Sequence, residues 1–286
     1  MKNVYKYLNV FRCIHESHRK FRSKISVYHV LYEKKCFPEG CFYFKWYCRK
    51  LNKGHRCPRK FKHVGKNCFG CRDFYEEKVH NFPEVILPEN EYDKFREELD
   101  EFEEWLDGNL DRSLEFAGII DGIKPHYCKK IYPKSEHLSF QGFLLIFREI
   151  FLGMTRFEDF VYARISSKTF STLKLGKGDK IFARGVLTME EGRLVLSKCH
   201  HFEVEERGEV PVWNESNTRI IRETATRFSV QPEGCVACPF GALVDVEDFK
   251  GNRKLYRELY CLKGMPDYRD CFIPAEICLF QLKNFQ

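Results

Sequence analysis

The chain has 286 residues, 43% of them hydrophobic and 15% aromatic, which is enough for two or three folded domains. Lys and Arg outnumber Asp and Glu by 48 to 41. No run of 18 apolar residues is present, which excludes a transmembrane helix and argues against a membrane partner. Residues 1–24 lack the apolar core of a secretory signal, so a reducing, cytoplasmic setting is expected. There, fourteen cysteines point to metal rather than to disulfides.

The charge is unevenly spread. Residues 1–80 carry 20 Lys/Arg against 6 Asp/Glu, and residues 81–112 carry 3 against 12. A strongly basic segment calls for a polyanionic partner. The acidic segment beside it is the competing, internal partner.

In chain order, Tyr5, Tyr7, Leu8, Val10 and Phe11 have the spacing of one amphipathic helix, followed by a polar arm over 15–24. Residues 25–32 predict a strand or short helix. The first cysteine block follows, with Cys36, Cys41, Cys48, Cys57, Cys68 and Cys71. Nine Lys and Arg lie between Lys45 and Lys66, beside Phe42, Tyr43, Phe44, Trp46 and Tyr47. Apolar periodicity is poor in this block, so a small module here needs a staple. Residues 91–106 predict a helix with Tyr92, Phe95, Leu99, Phe102 and Leu106 on one stripe, Asn90 as N-cap, and a stop at 107–109.

Residues 114–123, 142–151 and 159–166 read as strands, with a long polar loop over 124–139. A hairpin follows. Ile181, Ala183, Gly185 and Leu187 alternate with Lys180, Phe182, Arg184 and Val186, and the chain turns at 190–192, where Gly192 takes the positive φ. Beyond it, residues 218–228 and 248–260 are candidate helices. The second cysteine block is Cys235, Cys238, Cys261 and Cys271. Cys13, Cys128, Cys199 and Cys278 read as isolated thiols.

Thiolate metal sites need about four sulfurs around the metal, and a C-x2-C turn supplies two with backbone amides aimed at them. Two such turns occur, Cys68/Cys71 and Cys235/Cys238, each with further cysteines at workable distance. The expected sets are Cys235, Cys238, Cys261 and Cys271, and Cys48, Cys57, Cys68 and Cys71, with Cys36 and Cys41 as substitutes. Buried inert thiols are the competing reading.

The entry turn at 176–179 and the hairpin after it resemble the closing strands of an OB-fold barrel, and the likeness extends over 114–204. The resemblance implies a nucleic-acid-binding domain flanked by cysteine-rich zinc or iron–sulfur modules. The expected fold is α+β: a small antiparallel OB-like barrel at 113–207, a basic cysteine-rich module at 1–82, a linker and acidic helix at 83–112, and a four-cysteine module at 208–286. A β-sandwich is the alternative. Cys238-Pro239 resembles the end of a ferredoxin cluster motif, which adds a 4Fe–4S cluster to zinc as a candidate cofactor, although the rest of the ferredoxin run is missing.

No P-loop, G-x-S-x-G or H-E-x-x-H motif is present. Asp121 in its Gly118-to-Gly122 context resembles the first acidic motif of RecB-type nucleases, but no carboxylate precedes Lys168 where that family needs one to hold Mg²⁺. No catalytic residue is therefore assigned. The expected function is binding of single-stranded DNA or RNA, with Phe143, Phe147, Phe160, Tyr162, Arg164, Lys180, Phe182 and Arg184 as the outward nucleic-acid face. The rival readings are an iron–sulfur electron-transfer or sensor protein, and a subunit that docks a protein partner in a complex.

Overall fold

The computed structural model describes residues 1–15, 18, 24–251 and 253–271. Most of the arm expected over 15–24, and Cys278, lie outside the described residues. The chain divides into two compact units, residues 4–101 and residues 1–3 with 102–286.

In unit 4–101, the expected N-terminal helix is only a single 3-10 turn, Val4–Lys6. Short strands β1 (Phe11–Arg12), β2 (Lys24–Ile25) and β5 (Glu84–Val85) form a small sheet, with β1 central. A π-helix spans Tyr28–Glu33. The hairpin of β3 (Cys41–Cys48) and β4 (Phe74–Asn81) is antiparallel and regular, from Cys41 opposite Asn81 to Cys48 opposite Phe74. The chain between its strands holds α1 (Arg49–Asn52) and a 3-10 turn at Lys66–Cys68.

Helix α2 (Glu89–Asn109) confirms the expected stripe: Phe95, Phe102 and Leu106 are buried. It starts at Glu89, so Asn90 lies within the first turn rather than capping it.

The second unit contains β6 (Ser113–Ile119), β7 (Gly122–Ile131), β8 (Glu136–Phe147), β9 (Ile150–Leu152), β10 (Thr155–Phe157), β11 (Val161–Ile165), α3 (Ser167–Leu173), β12 (Lys180–Glu190), β13 (Arg193–Glu206), α4 (Glu215–Thr224), β14 (Thr226–Phe228), α5 (Glu233–Ala237), β15 (Gly241–Asp248) and β16 (Lys254–Cys261). The small antiparallel OB-like barrel expected over 113–207 is not found. Its strands belong to one eleven-stranded mixed sheet, in the order β10-β9-β6-β12-β13-β11-β8-β7-β15-β16-β14, that is not closed into a barrel. Two of its pairs, β11 with β13 and β7 with β15, are parallel. Alternation identifies a strand, but the pairing partner is a long-range choice that alternation does not encode.

Two local readings are also corrected. The polar loop expected at 124–139 is the β7–β8 hairpin. Pro125, Tyr127, Lys129 and Ile131 alternate inward, and Lys129 is tolerated there because Glu136 (2.8 Å) and Glu258 (3.5 Å) accept its ammonium. The helix expected at 248–260 is the turn and second strand of the β15–β16 hairpin.

The hairpin of β12 and β13 forms as read, with Ile181, Ala183, Gly185 and Leu187 inward. Glu190 faces Arg193 across a two-residue turn in which Glu191 (φ 49°) and Gly192 (φ 77°) are both left-handed. Gly142 is required for a different reason. At φ 121° in β8, a Cβ there would sit 2.2 Å from the Ile165 carbonyl oxygen. Gly142→Ala is expected to destabilise by more than about 1 kcal/mol, because the backbone cannot relax away from a paired strand. A lower urea midpoint at unchanged m-value would show it, and an unchanged midpoint would contradict the reading.

Candidate functional site

In unit 4–101, Cys48, Cys57, Cys68 and Cys71 line one small cavity together with Phe61 and Phe74. Cys48 ends β3, Cys68 ends the 3-10 turn, and Cys71 follows with its amide donating to the Cys68 carbonyl (2.9 Å). These are the four thiols favoured from sequence. Cys36 and Cys41 lie apart from that cavity's lining. They neighbour Cys13 instead, and burial together with those two thiols pushes the Cys36 pKa up to about 11. Cys13 is therefore not isolated.

In the second unit, Cys235, Cys238, Cys261 and Cys271 line another small cavity with Phe240 and Tyr268. Here too the grouping matches the sequence reading. The Phe240 amide donates to the Cys238 sulfur at 3.4 Å, the amide-to-sulfur contact a C-x2-C turn is built to make. Lys124 is buried behind this loop. Its ammonium donates to the Val236 and Gly241 carbonyls at 2.8 Å each. Burial lowers its pKa to about 8, and the Cys238 thiol acts in the opposite direction. All described cysteines are free thiols, and among the described residues no set of three or more His, Cys, Asp or Glu has the geometry of a single-ion site. Each four-cysteine set shares a cavity. Cys199 belongs to neither set and is held protonated by burial, with its pKa near 12.

The face assigned to nucleic acid is placed differently from expectation. Phe143 and Phe147 are core residues, 1% and 0% exposed, because β8 carries them on its inward face. The outward cations have intramolecular partners. Arg184 pairs with Glu115, Lys180 with Glu205 (2.9 Å) and Glu206 (3.5 Å), and Arg164 with Glu190 (2.5 Å) and Asp245 (3.1 Å). Phe182 is half-buried on β12. Phe160, Tyr162 and Arg164 line a cavity also walled by Asp245 of β15 and Trp213. Sequence gave the right alternation but not the hairpin that covers the face.

Asp245 is the hub of that covering. It accepts from His126 (3.0 Å), Arg164 (3.1 Å) and Arg257 (2.9 Å). Burial alone would raise its pKa, but the His126 hydrogen bond and the Arg257 guanidinium outweigh burial and hold the carboxyl far below the ordinary carboxylate range. The depressed carboxyl contributes stability above its unfolded pKa of about 3.9 and loses it as pH falls toward the folded value. Asp245→Asn is expected to cost about 1–3 kcal/mol at neutral pH by leaving charged donors unmatched. Wild type and variant should converge in acid. Equal stabilities at neutral pH would rule the hub out.

One exposed row of aromatic residues lies outside the face read from sequence. On β3, the alternate residues Phe42, Phe44 and Trp46 are 55%, 46% and 37% exposed. Across the hairpin from the first two stand His80 and Lys78. The Lys78 ammonium lies 4.1 Å from the Phe42 ring centre, and exposed Phe69 meets Trp46 edge-on at 5.0 Å. The segment from 45 to 66 carries nine Lys/Arg and no Asp or Glu. Apolar rings standing in water beside cations were the available signal. The period-2 pattern of aromatic residues in a charge-rich block carried it.

No protein-family model matches the chain, and no curated protein matches it. Among the described residues, no helix is long and apolar enough to cross a membrane.

Proposed function

We propose that the protein binds single-stranded nucleic acid through the β3–β4 hairpin, and that thiolate-bound metal, zinc or a 4Fe–4S cluster, staples each four-cysteine set. The observation that carries the reading is the exposed row Phe42, Phe44 and Trp46 beside Lys78 on a strongly basic hairpin. Single-strand binding needs π-faces for bases and cations along phosphates, and it tolerates any sequence because every base stacks. A soluble chain otherwise has no reason to hold such rings in water.

The metal reading rests on the two cysteine-lined cavities. Each set joins a strand end to neighbouring loops, so bound metal supplies folding energy there. Cys48, Cys57, Cys68 and Cys71 hold the base of the hairpin, and Cys235, Cys238, Cys261 and Cys271 tie the C-terminal loops to β16.

The test is anisotropy with labelled single-stranded DNA and RNA, against duplex, over a salt series. Binding to single strands that weakens steeply with salt is expected, because neutralised phosphates release counterions. No binding to any single strand at low salt would end the proposal.

A further inference from the structure

The cavity that receives Phe160, Tyr162 and Arg164 lies wholly within residues 102–286 and encloses about 440 Å³. Small-molecule sites commonly span about 300–1,000 Å³. Its walls come from β7, β8, β11, β13, β15 and the 209–213 segment.

Two features define what it would take. The first is aromatic. Phe160, Tyr162, Trp213 and Phe240 all line it. The Trp213 indole is fixed by donating to the Ile123 carbonyl (2.8 Å), and the Arg193 guanidinium lies 5.1 Å from the Tyr162 ring centre. The second is cationic. Lys124, Arg148, Arg164, Lys177 and Arg193 line the cavity against Asp121, Glu209 and Asp245.

Arg164 and Arg193 each keep one buried nitrogen without a hydrogen-bond partner. Arg164 donates both terminal nitrogens to Glu190 and Asp245, while its buried Nε has no hydrogen-bond partner. Arg193 is only 17% exposed, meets Tyr162 by a side-chain hydrogen bond and Asp245 at a long 3.8 Å, and its Nε is also buried without a partner. A buried donor left without an acceptor is costly, and native folds rarely keep one without a use. Guanidinium N–H groups match phosphate oxygens in geometry and charge.

We infer that this cavity binds a nucleotide, with the planar base among the aromatic walls and the phosphate accepting from the Arg193 guanidinium. The site is separate from the β3–β4 hairpin and does not depend on it. Its occupant is a free mononucleotide or the phosphorylated terminal nucleotide of a strand, which present the same chemistry.

The experiment titrates the full-length, metal-loaded protein with adenosine 5′-monophosphate, adenosine, inorganic phosphate, and an oligothymidylate with and without a 5′-phosphate, reading tryptophan fluorescence and calorimetric heat. The monophosphate should bind at least about tenfold more tightly than adenosine or phosphate, since each of those lacks one half of the recognition. Arg193→Ala should weaken it at least about tenfold, and Arg193→Lys should also weaken it because it keeps the charge but loses the planar fork. The fluorescence change should vanish in Trp213→Phe and the binding heat should shrink, a readout that holds even if the arginine variants fold poorly. Trp46→Ala, on the hairpin, should leave binding of the monophosphate unchanged. Tighter binding of the oligonucleotide with its 5′-phosphate than without it identifies a strand end, and equal binding of the two beside tight binding of the monophosphate identifies a free nucleotide. The inference is overturned if the monophosphate does not bind at millimolar concentration and the 5′-phosphate adds nothing to oligonucleotide binding, or if binding of the monophosphate is the same in folded Arg193→Ala.

Discussion

Cys261→Ser is expected to release the metal of the C-terminal site and to loosen residues 226–271. Cys261 ends β16, is 8% exposed and pairs with Gly241, so its sulfur enters the cavity it shares with Cys235, Cys238 and Cys271. A serine hydroxyl is a far poorer ligand for a soft metal than a thiolate. Zinc bound by four thiolates contributes about 10–16 kcal/mol in small peptides, so even partial loss exceeds the usual range for a point mutation. Elemental analysis should show one site's metal missing, and limited proteolysis should cut the C-terminal region first. Cys199→Ser is the control: that thiol is half-buried and lines neither cysteine cavity, so its variant should keep its metal. Wild-type protein that is brown and iron-containing indicates a cluster, and a colourless zinc protein indicates a single ion. Full metal content in Cys261→Ser would break the assigned grouping.

The second large effect concerns Phe44 and Trp46. Each ring is substantially exposed, 46% and 37%, so truncation removes little core packing. Each alanine variant should therefore remain folded and lose about 1–3 kcal/mol of single-strand affinity, the usual worth of one base stack. The double variant should bind only weakly. Neither change alters charge, so the dependence of affinity on salt should stay as in wild type. Lys78→Ala should instead flatten that dependence by about one unit of slope. The two classes of variant thus separate stacking from phosphate contact. If Trp46→Ala and Phe44→Ala bind as wild type does while Tyr162→Ala fails, the interface lies in the second unit and the hairpin assignment is wrong.

Phe143 and Phe147, expected on an outward face, lie inward. Both sit on a strand whose two sides are apolar enough to be read either way. Phe143 stacks on Phe170 of α3, with ring centres 3.9 Å apart, and Phe147 meets Phe116 of β6 at 6.1 Å. Helix α3 was not expected at all, although Ser166 caps it by accepting from the Thr169 amide (3.0 Å). Arg164 likewise alternates outward as read, but it meets Asp245, 81 residues further along the chain.

By itself the sequence determined what is local. The β12–β13 hairpin follows from alternation and a Glu-Gly turn with left-handed φ, and the buried stripe of α2 from 3–4 spacing. That each four-cysteine group lines one cavity was legible because each C-x2-C turn positions two sulfurs with only two residues between them, leaving few candidates for the remaining pair. What the tertiary structure alone decided is pairing at a distance. It joined β11 to β13 and β7 to β15 in parallel, set Cys36 beside Cys41 and Cys13 rather than in the cavity of Cys48, and brought Asp245 of β15 into one cavity with Tyr162 and Arg164. A period of two residues fixes that a strand has two faces. Which face meets water depends on what the rest of the chain brings against it, and that is set by the packing of the whole rather than by any window of sequence.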